Sequence, residues 1–165
     1  MAPRLTPRQL SVAAGLLERM DIAQALAVID RLCSGPLPAE HARTDAGTAG
    51  PGYVIAELQT SEDFREDGAR WEEVYEQYEC DREALAQRLT ERWGPPQVFS
   101  LYSVLERSLE GEDLPEPWAS LSGHVTDVTL WRPEDMGRWI SLGVSQWDRE
   151  LPFQLLAVVT DLAPP

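Results

Sequence analysis

Apolar residues near the start of the chain recur at intervals of three and four, which is the period of an amphipathic helix. Residues 6–9 combine a capping signature with a proline at the first helical position, and they predict the start of a helix. Residues 21–24 repeat the capping signature, so the pattern predicts either two short helices or one helix with a break near Asp21. Gly35 and Pro36 end this element, because proline cannot continue a helix.

The helical pattern is followed by a stretch of different composition. Residues 34–52 are rich in Gly, Pro, Ala and Thr, and Leu37 is their one large aliphatic residue, which is typical of a flexible linker. The short apolar run at residues 53–58 predicts a strand or the approach to a helix, and its composition favours the strand. We therefore expect an N-terminal helical element at residues 1–33, the linker, and an α+β domain at residues 53–165.

A second helical pattern follows this apolar run. Ser61 is a favourable N-cap, and the acids after it suit the positive end of a helix dipole. Residues that share one stripe of the predicted helix are Phe64, Gly68, Trp71, Tyr75 and Tyr78. The spacing predicts helices over residues 61–79 and 82–93, and the Gly-Pro-Pro sequence that begins at Gly94 ends the second of them.

From Gln97 onward the pattern changes to an alternation of period two, which is typical of strands. The predicted strands cover residues 98–105, 124–131, 138–146 and 153–160. The last is apolar on both faces, which indicates a strand that is central or covered on both sides. Because the turns are short, antiparallel pairing is favoured. The sequence therefore predicts an α+β fold, an antiparallel β-meander of four or five strands covered by amphipathic helices, with an N-terminal helical element.

The net charge of the chain limits the kinds of molecule that it is expected to bind. The chain has 28 Asp and Glu against 14 Lys and Arg, a formal net charge of −14. This excess repels nucleic-acid phosphate and anionic lipid, so we expect neither nucleic acid nor a membrane as a partner. Every basic residue is Arg and the chain lacks Lys and Asn, which the codon usage of a G+C-rich genome explains. We recognise no signal peptide and no apolar run of roughly 20 residues, and we expect a cytoplasmic protein.

Residues with catalytic or metal-binding potential are few. One short window combines the side chains of a hydrolytic triad, namely Ser120, Ser122, His124 and Asp127. Such common polar types are usually close together by chance, because a triad is recognised by geometry and not by proximity in sequence. Cys33 and Cys80 lack metal-binding spacing, so we expect buried free thiols, no metal and no cofactor. Catalysis is therefore less expected than a binding role.

More than half of the excess negative charge lies in one segment. Residues 57–83 contain eleven acids against three Arg, a balance of −8. The acids that lie off the aromatic stripe and are candidates for partner binding are Glu66, Glu72, Glu73, Glu76 and Glu79. Such a face either is solvated and keeps the protein soluble, or forms a docking surface for a basic protein.

A second candidate binding feature is the turn that contains Trp147, Asp148 and Arg149. Turns favour small polar residues, so a tryptophan here needs a reason. Either it folds back onto the edge of the sheet, or it is held out for a partner, since Trp is enriched among residues that dominate binding energy.

Three functional hypotheses follow. The leading one is a small acidic protein without catalytic activity that binds a basic protein, for example as an immunity- or antitoxin-like inhibitor. The second is a small enzyme or ligand-binding protein with a pocket between sheet and helices, near His124 and Asp127. The third is an accessory subunit of a larger assembly, docked through residues 1–33. The sequence leaves the oligomeric state open.

Overall fold

The structure, a computed structural model, describes residues 20–165. The helix predicted from residues 6–9 lies outside this range. Helix α1, Ile22–Ser34, begins where the second capping signature predicts, because Oδ1 of Asp21 accepts a hydrogen bond from the backbone N–H of Gln24 at 3.1 Å. The helix buries Ala25 and Ile29 against the sheet, so the predicted cap and helix are confirmed for the described part of the N-terminal element.

Seven strands form one antiparallel sheet. The strands are β1 (Ala42–Arg43), β2 (Gly47–Gly50), β3 (Tyr53–Thr60), β4 (Gln97–Ser100), β5 (Asp127–Trp131), β6 (Trp139–Ser145) and β7 (Gln154–Thr160). Their order is β1-β2-β3-β7-β6-β5-β4, so two meanders are joined where β3 pairs with β7. The remaining helices are α2 (Trp71–Trp93), α3 (Tyr102–Leu109) and α4 (Trp118–Leu121).

The predicted α+β class is confirmed, but the predicted number of four or five strands is wrong. Residues 34–52, which the composition predicts to be a flexible linker, contain β1 and β2. Their small residues serve close packing instead of flexibility. A Cβ atom at Gly47 would overlap the carbonyl oxygen of Ile55 in β3, and Ala49 is buried.

The helical part of the main domain also differs from the prediction. Residues 61–70 form a loop, although Phe64 is buried, and one continuous helix replaces the two predicted at residues 61–79 and 82–93. Asp81 does not start a new helix, since its Oδ1 accepts a hydrogen bond from Nε2 of Gln77 one turn earlier. The predicted end is confirmed at Gly94, whose φ of +84° is a conformation that favours glycine.

The strand predicted at residues 98–105 ends at Ser100, where helix α3 replaces it. Leu101 and Val104 are both fully buried, and their spacing of three places them on one face of a helix. The strand-like alternation of apolar and polar residues is therefore followed at once by helical spacing. The segment is too short for the sequence to distinguish a period of two from a period of 3.6.

The sheet is covered on both faces. Helices α1 and α2 pack on the face that carries Ile140, Leu142 and Ala157. The segment that contains α3 and α4 packs on the opposite face against Leu156 and Val158. Strand β7 is thus covered on both sides, as its apolar sequence predicts. Within residues 20–165 no helix is both long enough and apolar enough to cross a membrane.

Candidate protein-binding surface

The turn over residues 146–151 packs against the first turn of helix α2. Oε1 of Gln146 accepts a hydrogen bond from Nε1 of Trp71 at 3.2 Å. The same side chain donates through Nε2 to the carbonyl oxygen of Leu151 at 2.9 Å, which holds the turn closed. The guanidinium carbon of Arg149 lies 4.4 Å from the centre of the Trp71 ring, a cation–π contact. The turn and the helix are therefore fixed to each other.

The loop that precedes α2 joins the same end of the sheet. The backbone N–H of Phe64 donates to the carbonyl oxygen of Glu150 at 2.8 Å. Ser61 donates its N–H to the carbonyl oxygen of Phe153 and accepts the N–H of Phe153 on its hydroxyl, both at 2.9 Å. The loop, the start of α2 and the turn over residues 146–151 thus form one surface, which we call the acidic end.

Trp147 both packs on a neighbouring side chain and stays exposed to solvent. Its residue is 62% exposed, and its ring stacks on His124 with centroids 3.7 Å apart and an interplanar angle of 17°. Nδ1 of His124 lies 2.6 Å from the hydroxyl oxygen of Ser145, and this hydrogen bond holds the imidazole ring in place. Burial lowers the pKa of His124 to about 4, and the ring is neutral at pH 7. Trp147 is therefore a displayed side chain with a held orientation.

The predicted acidic residues take two kinds of environment. Glu66, Glu72, Glu73 and Glu76 are exposed, with Glu66 on the loop and the others on α2. Arg70 bridges this region, since its guanidinium contacts Glu62 at 2.8 Å and Glu73 at 3.5 Å.

Glu79 differs from the other predicted acids because it is half-buried beside Arg82, at 3.7 Å. Burial raises the pKa of Glu79, and Arg82 opposes that rise. Asp148 is exposed, and its Oδ1 accepts the N–H of Glu150 at 3.0 Å within the turn. The structure therefore places four of the five predicted glutamates, together with Asp148, at solvent.

Further along α2, Arg82 forms a polar cluster with strand β5. Its side chain is buried, and its Nη2 contacts Oδ1 of Asp127 at 2.6 Å. Nε and Nη2 both lie 3.1 Å from the hydroxyl of Thr129. Because Asp127 bonds Arg82 while His124 bonds Ser145, the window of Ser, His and Asp is not joined into a hydrogen-bonded triad.

A cleft of about 960 Å³ lies between α1 and the half of the sheet that contains β1, β2 and β3. Its apolar lining includes Ala25, Val28, Leu37, Ala49, Val54 and Leu58. Its charged lining residues are Asp21, Arg31, Asp45 and Glu57. A pocket between sheet and helix therefore exists, but His124 and Asp127 do not line it.

The cysteines have different environments. Cys33 is half-buried, and burial, followed by the charge of Asp30, raises its pKa to about 11. Cys80 is exposed on α2, so the expectation of two buried thiols is wrong for that residue. Across residues 20–165 no group of three or more His, Cys, Asp or Glu side chains could hold a metal ion.

Two supporting residues of the acidic end were not predicted from sequence. The ring of His124 supports the ring of Trp147, although 22 residues, which include strands β5 and β6, separate the two along the chain. Trp71 packs against the buried cluster around Phe153, as its place on the aromatic stripe predicts, and it also anchors Gln146 and Arg149. Neither contact has a periodic signal in the sequence, because each joins residues that are far apart along the chain.

Comparison of the chain with known proteins identified no similar protein. No family model matches the chain, and neither curated proteins nor solved structures gave a match.

Proposed function

We propose that this chain is a small acidic protein that binds another protein and has no catalytic activity of its own. The observation that supports this function is the convergence of three elements at the acidic end. Exposed acids of the loop and of α2 lie beside a turn that displays Trp147. Acidic side chains and a fixed aromatic group are complementary to a partner with a basic, partly apolar surface.

The charges and the aromatic side chain have different roles in this proposal. Long-range attraction between the acidic end and a basic surface accelerates encounter, because it acts before contact is made. Trp147 then supplies apolar contact area at short range. Because the stack on His124 already restricts its rotamers, binding costs less side-chain entropy than it would for a free tryptophan.

An inhibitor of the immunity or antitoxin kind is the most concrete form of this function. Such a protein blocks a basic partner by covering its surface, and it needs a rigid acidic surface instead of catalytic groups. The hydrogen bonds that fix the turn, the loop and α2 to one another supply that rigidity.

Charge reversal at two exposed positions tests the proposal. Replacing Glu72→Arg and Glu76→Arg together is expected to lower the association rate constant with a captured basic partner by about tenfold at low salt. The effect should shrink as salt rises, since screening shortens the reach of surface charges. Surface plasmon resonance over a salt series measures both quantities.

A matched control has the same charge change on another helix. Glu106→Arg with Glu110→Arg alters the exposed side of α3 and its C-terminal cap, and the helix packs on the opposite face of the sheet. This pair should change the association rate much less than the α2 pair. Equal effects of the two pairs would show that net charge, and not the acidic end, determines binding.

The cleft between α1 and the sheet supports a second candidate function, the binding of a small molecule. Its volume of about 960 Å³ lies within the range of ligand sites. Its lining combines an apolar floor with a few charged groups, which is the usual composition of such sites. Three of the four charged lining residues are acidic, so a neutral or cationic apolar compound is the fitting class.

Nile red, a neutral apolar dye, tests the cleft. We expect its fluorescence to rise on binding, and Val28→Trp is expected to weaken binding by about tenfold because the indole fills the cleft. Ala27→Trp is the matched control, since Ala27 is exposed on α1 and does not line the cleft. A dye that binds both variants equally, or does not bind the unchanged protein, excludes this candidate.

A further inference from the structure

Strand β4 is one edge of the sheet, and its backbone has a free side. It pairs with β5 in a register that sets Val98 opposite Thr129 and Phe99 opposite Val128. The N–H of Leu101 donates to the carbonyl oxygen of Thr126 at 2.9 Å and so fixes the phase of the ladder. Because hydrogen-bonded pairs alternate in antiparallel strands, Val98 is at a non-hydrogen-bonded position, and its N–H and C=O point away from β5.

The edge is only partly protected against strand addition. Sheet edges are normally blunted by charged side chains, by proline or by short length. Strand β4 has four residues and follows Pro95 and Pro96, but it contains no charged residue, and Val98 is 74% exposed. Tyr102, two residues after the strand, is 65% exposed. The opposite edge, β1, has two residues, and one of them is Arg43.

Negative charge lies on the sheet face to which Val98 points. Val98 shares that face with Thr129, whose hydroxyl contacts Arg82 of α2. Asp127 and Glu79 flank the same guanidinium, and Glu83 lies one turn after Glu79 on the same helix. These three acids face one Arg, so the region beside β4 is acidic.

We propose that the partner binds through an extended basic segment that adds to the free edge of β4 as an eighth strand. The outward N–H and C=O of Val98 hydrogen-bond the added backbone, and the aliphatic stem of an Arg or Lys side chain of the segment covers Val98. The charged ends of the Arg or Lys side chains extend over this face of the sheet towards Glu79, Glu83 and Asp127, and the alternate apolar side chains lie on the opposite face. This inference rests on the proposed function and specifies how the partner is recognised.

A second copy of this chain fits the edge less well than a basic segment does. Each copy has a net charge of −14, so two copies repel each other over long range. Pairing β4 with β4 would also bring two acidic clusters together, without a base to compensate either. Charge complementarity therefore favours a basic partner.

A capped peptide of about eight residues that alternates Arg and Val is the probe for this inference. We expect it to bind, and we expect hydrogen exchange of the Val98 amide to slow by at least about tenfold in the complex, as NMR would measure. The same peptide with alternate backbone nitrogens methylated should lose this effect, because it cannot donate to the edge. A Glu–Val peptide should not bind.

Two substitutions at one position separate the backbone from the side chain. Val98→Pro removes the outward N–H without breaking the ladder to β5, and it is expected to weaken peptide binding at least about tenfold. Val98→Thr keeps that N–H, and it should weaken binding by about threefold or less. Circular dichroism and the melting temperature establish that both variants are folded.

Equal binding of the peptide by Val98→Pro and by the unchanged protein, or no binding of the Arg–Val peptide, would overturn the inference. A dimer of the unchanged protein that Val98→Pro dissociates, measured by sedimentation, would assign the edge to self-association and overturn it too. If the α2 charge reversal impairs partner binding while Val98→Pro does not, the proposed function stands without strand addition. If neither variant impairs partner binding, both proposals fail.

Discussion

Replacing Trp118 with alanine is expected to lower the free energy of unfolding by about 4 kcal/mol. The side chain of Trp118 is completely buried, and its ring meets Phe99 edge to face with centroids 6.5 Å apart. Its Nε1 donates to the carbonyl oxygen of Leu162 at 3.0 Å. Truncation therefore leaves both a cavity and an unpaired carbonyl in the layer that covers one face of the sheet.

Urea unfolding of a small series measures this effect. Trp118→Phe keeps most of the ring volume but loses the hydrogen bond, so we expect a smaller loss of about 1.5 kcal/mol. Trp147→Ala is the matched control, since it removes an exposed tryptophan and should cost less than about 1 kcal/mol. If Trp118→Ala and Trp147→Ala destabilise the protein equally, the assigned packing of Trp118 is wrong.

Replacing Asp127 with alanine is expected to lower the free energy of unfolding by about 2 kcal/mol. The substitution leaves the buried guanidinium of Arg82 without the carboxylate that lies 2.6 Å from its Nη2. Breaking a fully buried pair costs more than this, but the side chain of Asp127 is 41% exposed, and solvent screens part of the interaction. Thermal or urea unfolding gives the difference.

A double-mutant cycle separates the ion pair from the packing of Arg82. Arg82→Met keeps the long apolar stem, so the charge that Asp127→Ala leaves unpaired is absent from the double variant. We expect the double variant to be more stable than the sum of the two single losses predicts, by about 1 kcal/mol. Additive losses would mean that Arg82 and Asp127 do not stabilise each other.

Local sequence signals predicted the elements whose own residues determine them. The cap at Asp21, the helix end at Gly94 and the strand predicted at residues 138–146 are all present. The apolar run of residues 153–160 forms the strand that is covered on both faces. In each case the capping chemistry or the burial of one short segment is sufficient to specify the element.

The wrong predictions concern segments whose conformation depends on distant residues. Gly47 and Ala49 resemble linker residues, but they allow β2 to approach β3 closely. Phe64 lies on the aromatic stripe of a predicted helix, but its ring packs on Phe153 from a loop, with centroids 5.7 Å apart. Composition cannot distinguish flexibility from close packing, because both favour small residues.

The candidate surface was predicted in part for the same reason. The acids of α2 and the turn at Trp147 were recognisable from charge and from an aromatic residue in a turn. Their proximity was not, since it depends on Trp71 contacting Gln146 across 75 positions of the chain. The stack of Trp147 on His124 is also a long-range contact without a local pattern.

The position of β7 between β3 and β6 has a consequence for the order of folding. It is the last of the seven strands in sequence order, yet within residues 20–165 its pairing with β3 is the only strand pairing that links the two meanders. Tyr53 pairs with Thr160, so closing the sheet requires contact between residues more than a hundred positions apart. During synthesis on the ribosome, the edges of β3 and β6 therefore stay unpaired until β7 has been made. We expect completion of the sheet to be a late and slow step of folding.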